Sequence, residues 1–258
     1  MAEPQTNPET QPTSTRRERP IIAIDGPAGA GKSTLAAHLA RRFGFLNLET
    51  GAMYRALALK AIENDYAFDE EAPLVALAAQ TTITLQPQLE GNRVLLDGFD
   101  VSRRIRDSDV TSAASQISIH HNLRAWMVQQ QRALGQAGGV VMEGRDIGTA
   151  VFPDAEVKIF LDAAPEVRGN RRFRQAVPGE AARMAAAAEQ ARPVTEEQKL
   201  AKEKLLEEMR ERDRRDRSRT ESPLKAADDA LVIDSTAMSL ADVLARAEEV
   251  VRAHLPPG

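Results

Sequence analysis

Residues 26–34 have the residue types and spacing of a phosphate-binding loop. They read G-x-x-x-x-G-K-S-T and lie between an apolar run and a segment of helical periodicity. Glycines let backbone N–H groups converge on phosphate oxygens, and the N-terminus of the following helix adds partial positive charge. Lys32 can then reach the β- and γ-phosphates, and the Ser33 hydroxyl can bind Mg²⁺. The pattern predicts a nucleoside-triphosphate site formed by Gly26, Pro27, Ala28, Gly29, Ala30, Gly31, Lys32, Ser33 and Thr34.

A second group of polar side chains follows another short apolar run, at residues 46–49. Thr50, Tyr54 and Arg55 supply two hydroxyls and a guanidinium near the predicted end of a strand and start of a helix. Ligands of open parallel sheets bind at that edge. These residues are therefore candidates for a second ligand site. Two structural explanations remain open: Thr50 as the N-cap of the helix, and Tyr54 as a packed core side chain.

Residues 210–219 carry six arginines in ten positions. A charge run of this kind is usually a solvated helix face. On a helix, however, Arg212, Asp216 and Arg219 follow i, i+4, i+7 spacing and share one face. By itself the run favours solvent exposure over function.

The elements that must position these groups alternate between strand and helix. Residues 21–24 predict a strand buried on both faces, and residues 32–43 predict the helix after the phosphate-binding loop. Further strands are predicted at residues 140–142, 157–161 and 231–233, with a weaker one at 46–49. Helical segments separate the strands, so the pattern predicts an α/β fold with a doubly wound, five-stranded parallel sheet.

Two stretches interrupt this alternation. Residues 82–85 and 93–96 alternate in polarity around Glu90-Gly91-Asn92, which predicts a small antiparallel hairpin inserted in the chain. Residues 176–219 are too polar to form a core, so they predict a solvated arm or a mobile lid.

Composition excludes several classes of protein. The 258 residues include no Cys, which rules out disulfides, thiolate metal sites and a Cys nucleophile. The net charge of −4 and the 4% aromatic content argue against a generic nucleic-acid coat protein. No apolar run approaches the ~20 residues that cross a bilayer. Residues 1–20 are polar and lack the apolar segment of a secretory signal, so we expect none. We expect a cytoplasmic protein with no membrane partner and no stable nucleic-acid partner.

Triphosphate binding leaves three classes open: a switch GTPase, an ATP-driven machine and a phosphotransferase. The guanine-reading motif N-K-x-D is absent, and no predicted strand ends in the Asp-Glu pair typical of hydrolytic ATPases. The choice between the classes depends on whether the chain contains an acceptor site.

Five segments together resemble the bacterial cytidylate kinases, a family of P-loop nucleoside monophosphate kinases. They are residues 26–34, 50–55, 113–116, 144–149 and 212–219. Gly144-Arg145-Asp146 and the Arg-x-x-x-Asp-x-x-Arg pattern starting at Arg212 are more specific than the P-loop, because other monophosphate kinases lack this combination. The resemblance spans about residues 20–175 and 205–255. It implies phosphorylation of CMP or dCMP by ATP with Mg²⁺, in pyrimidine nucleotide metabolism. We expect the protein to be a monomer.

The resemblance also implies a division of the chain. A P-loop core would comprise residues 20–60, 136–170 and 220–258, with an acceptor-binding insertion at 61–135 and a helical lid at 171–219. Residues 1–19 have no apolar periodicity and are expected to be a disordered tail.

Ten residues match the family's acceptor-binding positions: Thr50, Tyr54, Arg55, Ser115, Arg124, Arg145, Asp146, Arg212, Asp216 and Arg219. The first three, with Arg145, would hold the acceptor α-phosphate, since two hydroxyls and two guanidinium forks suit a dianion. Ser115, Arg124, Asp146 and Arg219 would read the cytosine. Asp216 would contact a sugar hydroxyl and Arg212 a phosphate. Lys32, Arg145 and Arg212 would be the catalytic residues.

Asp146 is implied to discriminate between pyrimidines. It could accept a hydrogen bond from the exocyclic amine of cytosine, whereas uracil would present a carbonyl oxygen that repels it. Arg171 and Arg172 fall where such kinases open their lid and are candidates for donor-phosphate contacts. Arg214 and Arg217 are expected in solvent or in ion pairs.

The chain departs from the usual family pattern at four places. Glu49 stands where Asp is common, Ser33 where Gly is common, Thr50 where Ser is common, and residues 174–206 are longer than the usual lid. Two alternatives stay open at this point. One is a kinase for another small acceptor on the same fold. The other is a nucleotide-dependent regulatory or RNA-binding protein that uses the arginine run for phosphates.

Overall fold

The computed structural model describes residues 17–88, 91–176 and 196–255. The strands are β1 (Ile21–Asp25), β2 (Leu46–Glu49), β3 (Ile83–Gln88), β4 (Gly91–Leu96), β5 (Phe99–Asp100), β6 (Val140–Glu143), β7 (Val157–Asp162) and β8 (Leu231–Asp234). The α-helices are α1 (Lys32–Phe43), α2 (Thr50–Glu63), α3 (Glu71–Ala79), α4 (Ser108–Ile117), α5 (His121–Gly135), α6 (Pro165–Ala176), α7 (Glu196–Ser218) and α8 (Leu240–His254).

Five parallel strands form the central sheet in the order β2-β6-β1-β7-β8, which confirms the five predicted strands and the α/β fold. Strand β1 is central: Ile22 lies opposite Val141 of β6 on one side and Val157 of β7 on the other. After β1 the chain forms β2 and β6 on one side of β1, and then β7 and β8 on its other side. The carboxyl end of β1 is therefore a topological switch point, where open α/β sheets bind ligands.

Helices cover both faces of this sheet, because successive side chains of a strand point to opposite sides. Ile21 and Ala23 pack in a core with α2, α4 and α5. Ile22 and Ile24 pack in a second core with α1 and α8. All four side chains are fully buried, which explains why this strand is an uninterrupted apolar run.

The predicted hairpin is confirmed as the antiparallel pair β3–β4, which β5 extends to three strands. Residues 89 and 90, at its predicted turn, lie outside the described residues. Asn92 joins the hairpin to β2: its Oδ1 accepts from the Glu49 N–H at 2.8 Å, and its Nδ2 donates to the Asn47 carbonyl at 2.7 Å. The insertion is thereby fixed to the carboxyl end of β2.

Helix α7 lies beside α6 and above the phosphate-binding loop. Its Met209 is buried, and a Cβ at Gly29 would be 3.0 Å from the Met209 methyl carbon. Residues 177–195 of the predicted lid lie outside the described residues, as do residues 1–16 of the predicted tail. Arg17, within that tail, pairs with Asp154 and Glu156. None of the described helices is long and apolar enough to cross a membrane.

Candidate active site

A cleft of about 1200 Å³ opens at the carboxyl ends of β1, β2 and β6. Nineteen of the residues predicted to bind a ligand line it: Ala28, Gly29, Ala30, Gly31, Lys32, Ser33, Thr34, Thr50, Tyr54, Arg55, Ser115, Arg124, Arg145, Asp146, Arg171, Arg172, Arg212, Asp216 and Arg219. The cleft thus joins the P-loop to the segments of the insertion and of α7 that resemble an acceptor site.

Gly26 and Pro27 do not line the cleft but shape the loop that does. Gly26 has a φ of +146°, and a Cβ there would lie 2.0 Å from the Leu161 carbonyl oxygen, so no other residue fits. The Pro27 carbonyl accepts from the Lys32 Nζ at 2.8 Å. This bond holds the buried ammonium group against the loop.

Lys32 and Arg212 are cations of the cleft that have no carboxylate within ion-pair distance among the described residues. Burial lowers the pKa of Lys32 to about 7, aided by the charges of Arg145 and Arg212 and opposed by Glu143 and Asp25. Burial likewise lowers the pKa of Arg212 to about 9, and Arg145 adds repulsion. Because neighbouring cations destabilise each other here, an anionic ligand would be attracted to this part of the cleft.

Glu143 ends β6 next to the P-loop. Its Oε2 accepts from the Ser33 Oγ at 3.0 Å. Burial, with repulsion from Glu49, raises the pKa of Glu143 to about 7. No sequence motif singled out Glu143, although it directly follows the apolar run 140–142 and precedes Gly144.

Glu49 and Arg55 form an ion pair, with 2.5 Å between the Arg55 Nη2 and the Glu49 Oε1. Thr50 does not cap α2: the helix has Glu49 at its N-cap, and the Thr50 Oγ1 donates to the Glu143 carbonyl at 2.7 Å. That contact ties the start of α2 to the end of β6. Thr50 does not act as the N-cap because it already lies inside the helix, next to the end of the neighbouring strand β6.

Arg171 and Arg172 occupy different parts of the cleft wall. Arg171 donates to the Ala30 carbonyl at 3.1 Å and to the Ser235 Oγ at 3.0 Å, so it joins the P-loop to the segment after β8. Desolvation and the charges of Arg55 and Arg106 lower the pKa of Arg172. Arg172 therefore lies on the Arg55 side of the cleft.

The deep end of the cleft is a polar pocket. Arg124 and Asp146 form a buried ion pair, and the Arg124 guanidinium lies 5.9 Å from the centre of the Tyr54 ring. Burial raises the pKa of Tyr54 to about 12, which keeps its hydroxyl protonated. The Ser115 Oγ is buried and has no partner among the described residues. A ligand with polar groups could satisfy that hydroxyl.

Helix α7 turns one face to the cleft and another to solvent. Asp216 binds Arg219 through one oxygen and the Arg145 Nε through the other, at 3.0 Å in the second case. Arg214 pairs with Glu211, and Arg217 lies 3.5 Å from Asp162, both with exposed side chains. These two arginines behave as the sequence predicted.

Arg168 and Ser118 also border the site and were not found from the sequence. Arg168 is buried and donates to the Ala28 carbonyl at 2.9 Å, while its Nη1 lies 2.6 Å from the Asp213 Oδ2. It lies one helical turn before Arg171 and Arg172, which is the signal that could have included it. Ser118 had no comparable signal.

Comparison with known proteins gives the family. A family model described as "Cytidylate kinase" matches residues 22–253. The chain belongs to the cytidylate kinase family. Curated proteins named cytidylate kinase from Aeromonas salmonicida, a Geobacter species and Enterococcus faecalis are 47%, 43% and 44% identical to it. The matches cover 88%, 92% and 90% of this chain and 91%, 95% and 95% of those relatives. The resemblance seen in the sequence is confirmed.

Proposed function

We infer that the protein is an ATP-dependent (d)CMP kinase, which transfers the γ-phosphoryl group of ATP to CMP or dCMP and yields CDP or dCDP. One observation carries this inference: a single cleft joins the P-loop to the ten residues that match the family's acceptor site. Membership of the cytidylate kinase family supports the same reaction.

The reaction needs no protein nucleophile. In direct in-line transfer, catalysis consists of positioning two phosphorylated ligands and stabilising charge on the transferred group. Lys32, Arg145 and Arg212 are the groups that we assign to this role. Lys32 and Arg212 have depressed pKa values in the free protein, and phosphate oxygens would supply the negative charge that favours their protonated forms.

The acceptor phosphate would lie against Thr50, Tyr54, Arg55 and Arg145. Arg55 is held by Glu49 in the free protein, so it must share or exchange that carboxylate for the phosphate. A guanidinium can bind two oxygens in one plane, which suits this exchange. Arg145 is bound by Asp216 through its Nε and can bind phosphate with its other nitrogens.

The acceptor base would lie in the polar pocket. Ser115, Arg124 and Arg219 would donate to the ring nitrogen and carbonyl of cytosine, and Asp146 would accept from its amine. The unpartnered Ser115 hydroxyl supports this assignment, because a buried donor without an acceptor is costly unless a ligand satisfies it. Asp216 would contact a sugar hydroxyl.

The donor triphosphate would lie on the P-loop, with Mg²⁺ bound by the Ser33 hydroxyl. The fit is chemical: the Ser33 hydroxyl and the Glu143 carboxylate are hard oxygen ligands 3.0 Å apart. No group of three or more His, Cys, Asp or Glu in the described part of the chain could hold a metal alone, so phosphate oxygens and water would complete the ligand set. When bound, Mg²⁺ would neutralise developing charge on the phosphates.

We also propose that residues 171–219 close over the cleft as a lid and that residues 61–135 form the acceptor-binding lobe. This division is supported because both segments line the same cleft. The lid contributes Arg172 and Arg212, and the acceptor-binding lobe contributes Ser115 and Arg124. Closure would exclude water that otherwise hydrolyses ATP. We place Arg171, which contacts the P-loop, beside the donor phosphates, and Arg172, on the Arg55 side of the cleft, where the donor and acceptor phosphates would meet. We also propose a cytoplasmic monomer.

A ³¹P NMR experiment tests this function. Purified protein with Mg-ATP and CMP should convert both into ADP and CDP in equal amounts, with little ATP hydrolysis when CMP is omitted. Lys32→Ala should abolish the transfer, and EDTA should do the same to the unaltered protein. ADP formation that is independent of any monophosphate would contradict the proposal.

A further inference from the structure

Ser118 is a buried hydroxyl residue that the proposed mechanism does not use. It follows α4, is only 6% exposed and borders the cleft. Its Oγ accepts from the Arg219 Nη2 at 2.8 Å and donates to the Ser115 carbonyl at 3.0 Å. Its carbonyl accepts from the Arg124 Nη1 at 3.1 Å. Ser118 therefore contacts three of the four residues that we assign to the acceptor base.

The two serines of this pocket have different hydrogen-bond states. The Ser115 Oγ has no partner among the described residues and is available to a ligand. The single proton of the Ser118 hydroxyl is already donated to the Ser115 carbonyl, which turns its lone pairs towards Arg219. Ser118 is thus arranged to hold a protein group rather than to read a ligand.

The contact also joins two separate parts of the molecule. Arg219 directly follows α7, whereas Ser118 follows α4 in the insertion, 101 positions earlier in the chain. Asp216, the other acceptor for the Arg219 Nη2, lies on α7 one turn earlier and moves with it. Ser118 is therefore the contact that fixes the Arg219 guanidinium relative to the opposite wall of the pocket.

We propose that Ser118 is a positioning residue for the acceptor base, acting through Arg219. The proposal rests on the role of Arg219 proposed above. A guanidinium held on one side only by its own helix can point its free N–H groups in several directions. The Ser118 oxygen restricts that freedom before the acceptor binds, which lowers the ordering cost of binding.

Steady-state kinetics of Ser118→Ala test the proposal. Loss of one hydrogen bond to a charged group should raise the KM for CMP by about tenfold. The kcat and the KM for ATP should change less than twofold, because Ser118 has no contact with the P-loop. Ser102→Ala is the matched control: it also removes a hydroxyl with two hydrogen bonds, but Ser102 lies in the turn after β5, outside the cleft. It should leave the KM for CMP unchanged.

A double-mutant cycle separates positioning from a general structural effect. If Ser118 acts through Arg219, the KM for CMP of Ser118→Ala/Arg219→Ala should equal that of Arg219→Ala alone. Ser118→Thr and Ser118→Val introduce side chains of equal volume, so the two variants differ in the hydroxyl group and not in packing. The threonine variant should have the lower KM for CMP.

Three results would overturn the proposal. The first is a KM for CMP in Ser118→Ala/Arg219→Ala that is raised by the product of the two single effects. The second is an equal KM for CMP in the threonine and valine variants. The third is a fall in the kcat of Ser118→Ala that is as large as the rise in its KM for CMP. If Arg219→Ala itself leaves the KM for CMP unchanged, the assignment of the base pocket fails together with the proposal. If Arg219→Ala raises KM and Ser118→Ala does not, only the role of Ser118 fails.

Discussion

At the scale of single side chains, the cleft contains two kinds of cation. Arg55, Arg124 and Arg219 each contact a carboxylate of the protein, whereas Lys32 and Arg212 have no such partner among the described residues. At the first kind of site a ligand must share the guanidinium with a carboxylate or exchange with it, which makes binding selective. The second kind attracts phosphate without that exchange.

Replacing Arg55 should weaken acceptor binding specifically. Arg55→Ala removes a charge-assisted contact of about 1.5–3 kcal/mol, which corresponds to a rise of one to two orders of magnitude in the KM for CMP. The measurement is initial-rate kinetics at saturating ATP. Arg214→Ala, an exposed arginine paired with Glu211, is the matched control and should have no effect. An unchanged KM in Arg55→Ala would refute the acceptor-phosphate role.

Asp146 should control the choice between cytosine and uracil. Asp146→Ala removes both the acceptor for the cytosine amine and the repulsion of the uracil carbonyl, so the ratio of kcat/KM for CMP over UMP should fall. The kcat/KM for CMP and the kcat/KM for UMP should each be measured, because the substitution also leaves Arg124 without its buried partner. A preserved ratio at lower activity would show that Asp146 supports Arg124 without reading the base.

At the scale of elements, Arg168 holds three of them together. Its guanidinium binds the Ala28 carbonyl of the P-loop at 2.9 Å and Asp213 of α7 at 2.6 Å, and it extends from α6. Asp213 and Arg168 are both buried. Because α7 also carries Arg212 and Asp216, this ion pair links the P-loop to the acceptor side of the cleft.

Breaking that buried pair should destabilise the protein. Arg168→Met leaves Asp213 buried and unpaired, which typically costs about 3–5 kcal/mol in the free energy of unfolding. Urea denaturation measures the loss. The double variant Arg168→Met/Asp213→Leu removes the uncompensated charge and should recover part of it. A loss below ~1 kcal/mol in the single variant would contradict the assigned role.

Asp25 gives the stability of the P-loop region a pH dependence. Its carboxylate accepts from the Ile147 and Gly148 N–H groups at 2.8 and 2.7 Å, and burial raises its pKa from 3.8 to about 6. A raised carboxyl pKa means that the folded state holds the proton more tightly, so this group lowers stability as pH rises from 3.8 through 6.

Asp25→Asn isolates that contribution. The amide can accept only one of the two bonds, so the variant should be less stable, but its deficit relative to the unaltered protein should narrow between about pH 4 and pH 7. Urea denaturation across this range measures both curves. A deficit that widens with pH would contradict the raised pKa of Asp25.

At the scale of the whole molecule, a net charge of −4 coexists with a cleft lined by arginines. Only seven of the 34 basic residues are lysine, and the arginines that line the cleft supply the planar donors that phosphate and base recognition require. The P-loop, the insertion and α7 each contribute one wall. Two small anionic ligands can therefore meet in a locally basic cleft of an acidic protein.

The sequence predicted what depends on local pattern. The buried strand at residues 21–24, the helix after Gly31 and the helical face shared by Arg212 and Asp216 all follow from spacing within a few residues. It could not predict contacts formed only by folding: Ser33 meets Glu143 across 110 positions, Arg168 meets Ala28 across 140, and Arg219 meets Ser118 across 101. Each of these pairs joins separate elements at the edge of one sheet.

The most direct test is an ADP-release assay with Mg-ATP and a panel of CMP, dCMP, UMP and AMP. We predict that CMP and dCMP have the highest kcat/KM values and that UMP is poor, because Asp146 opposes its carbonyl. Lys32→Ala should be inactive with all four acceptors. Equal or better turnover of AMP or UMP would contradict the assignment of this cleft to cytidine monophosphates.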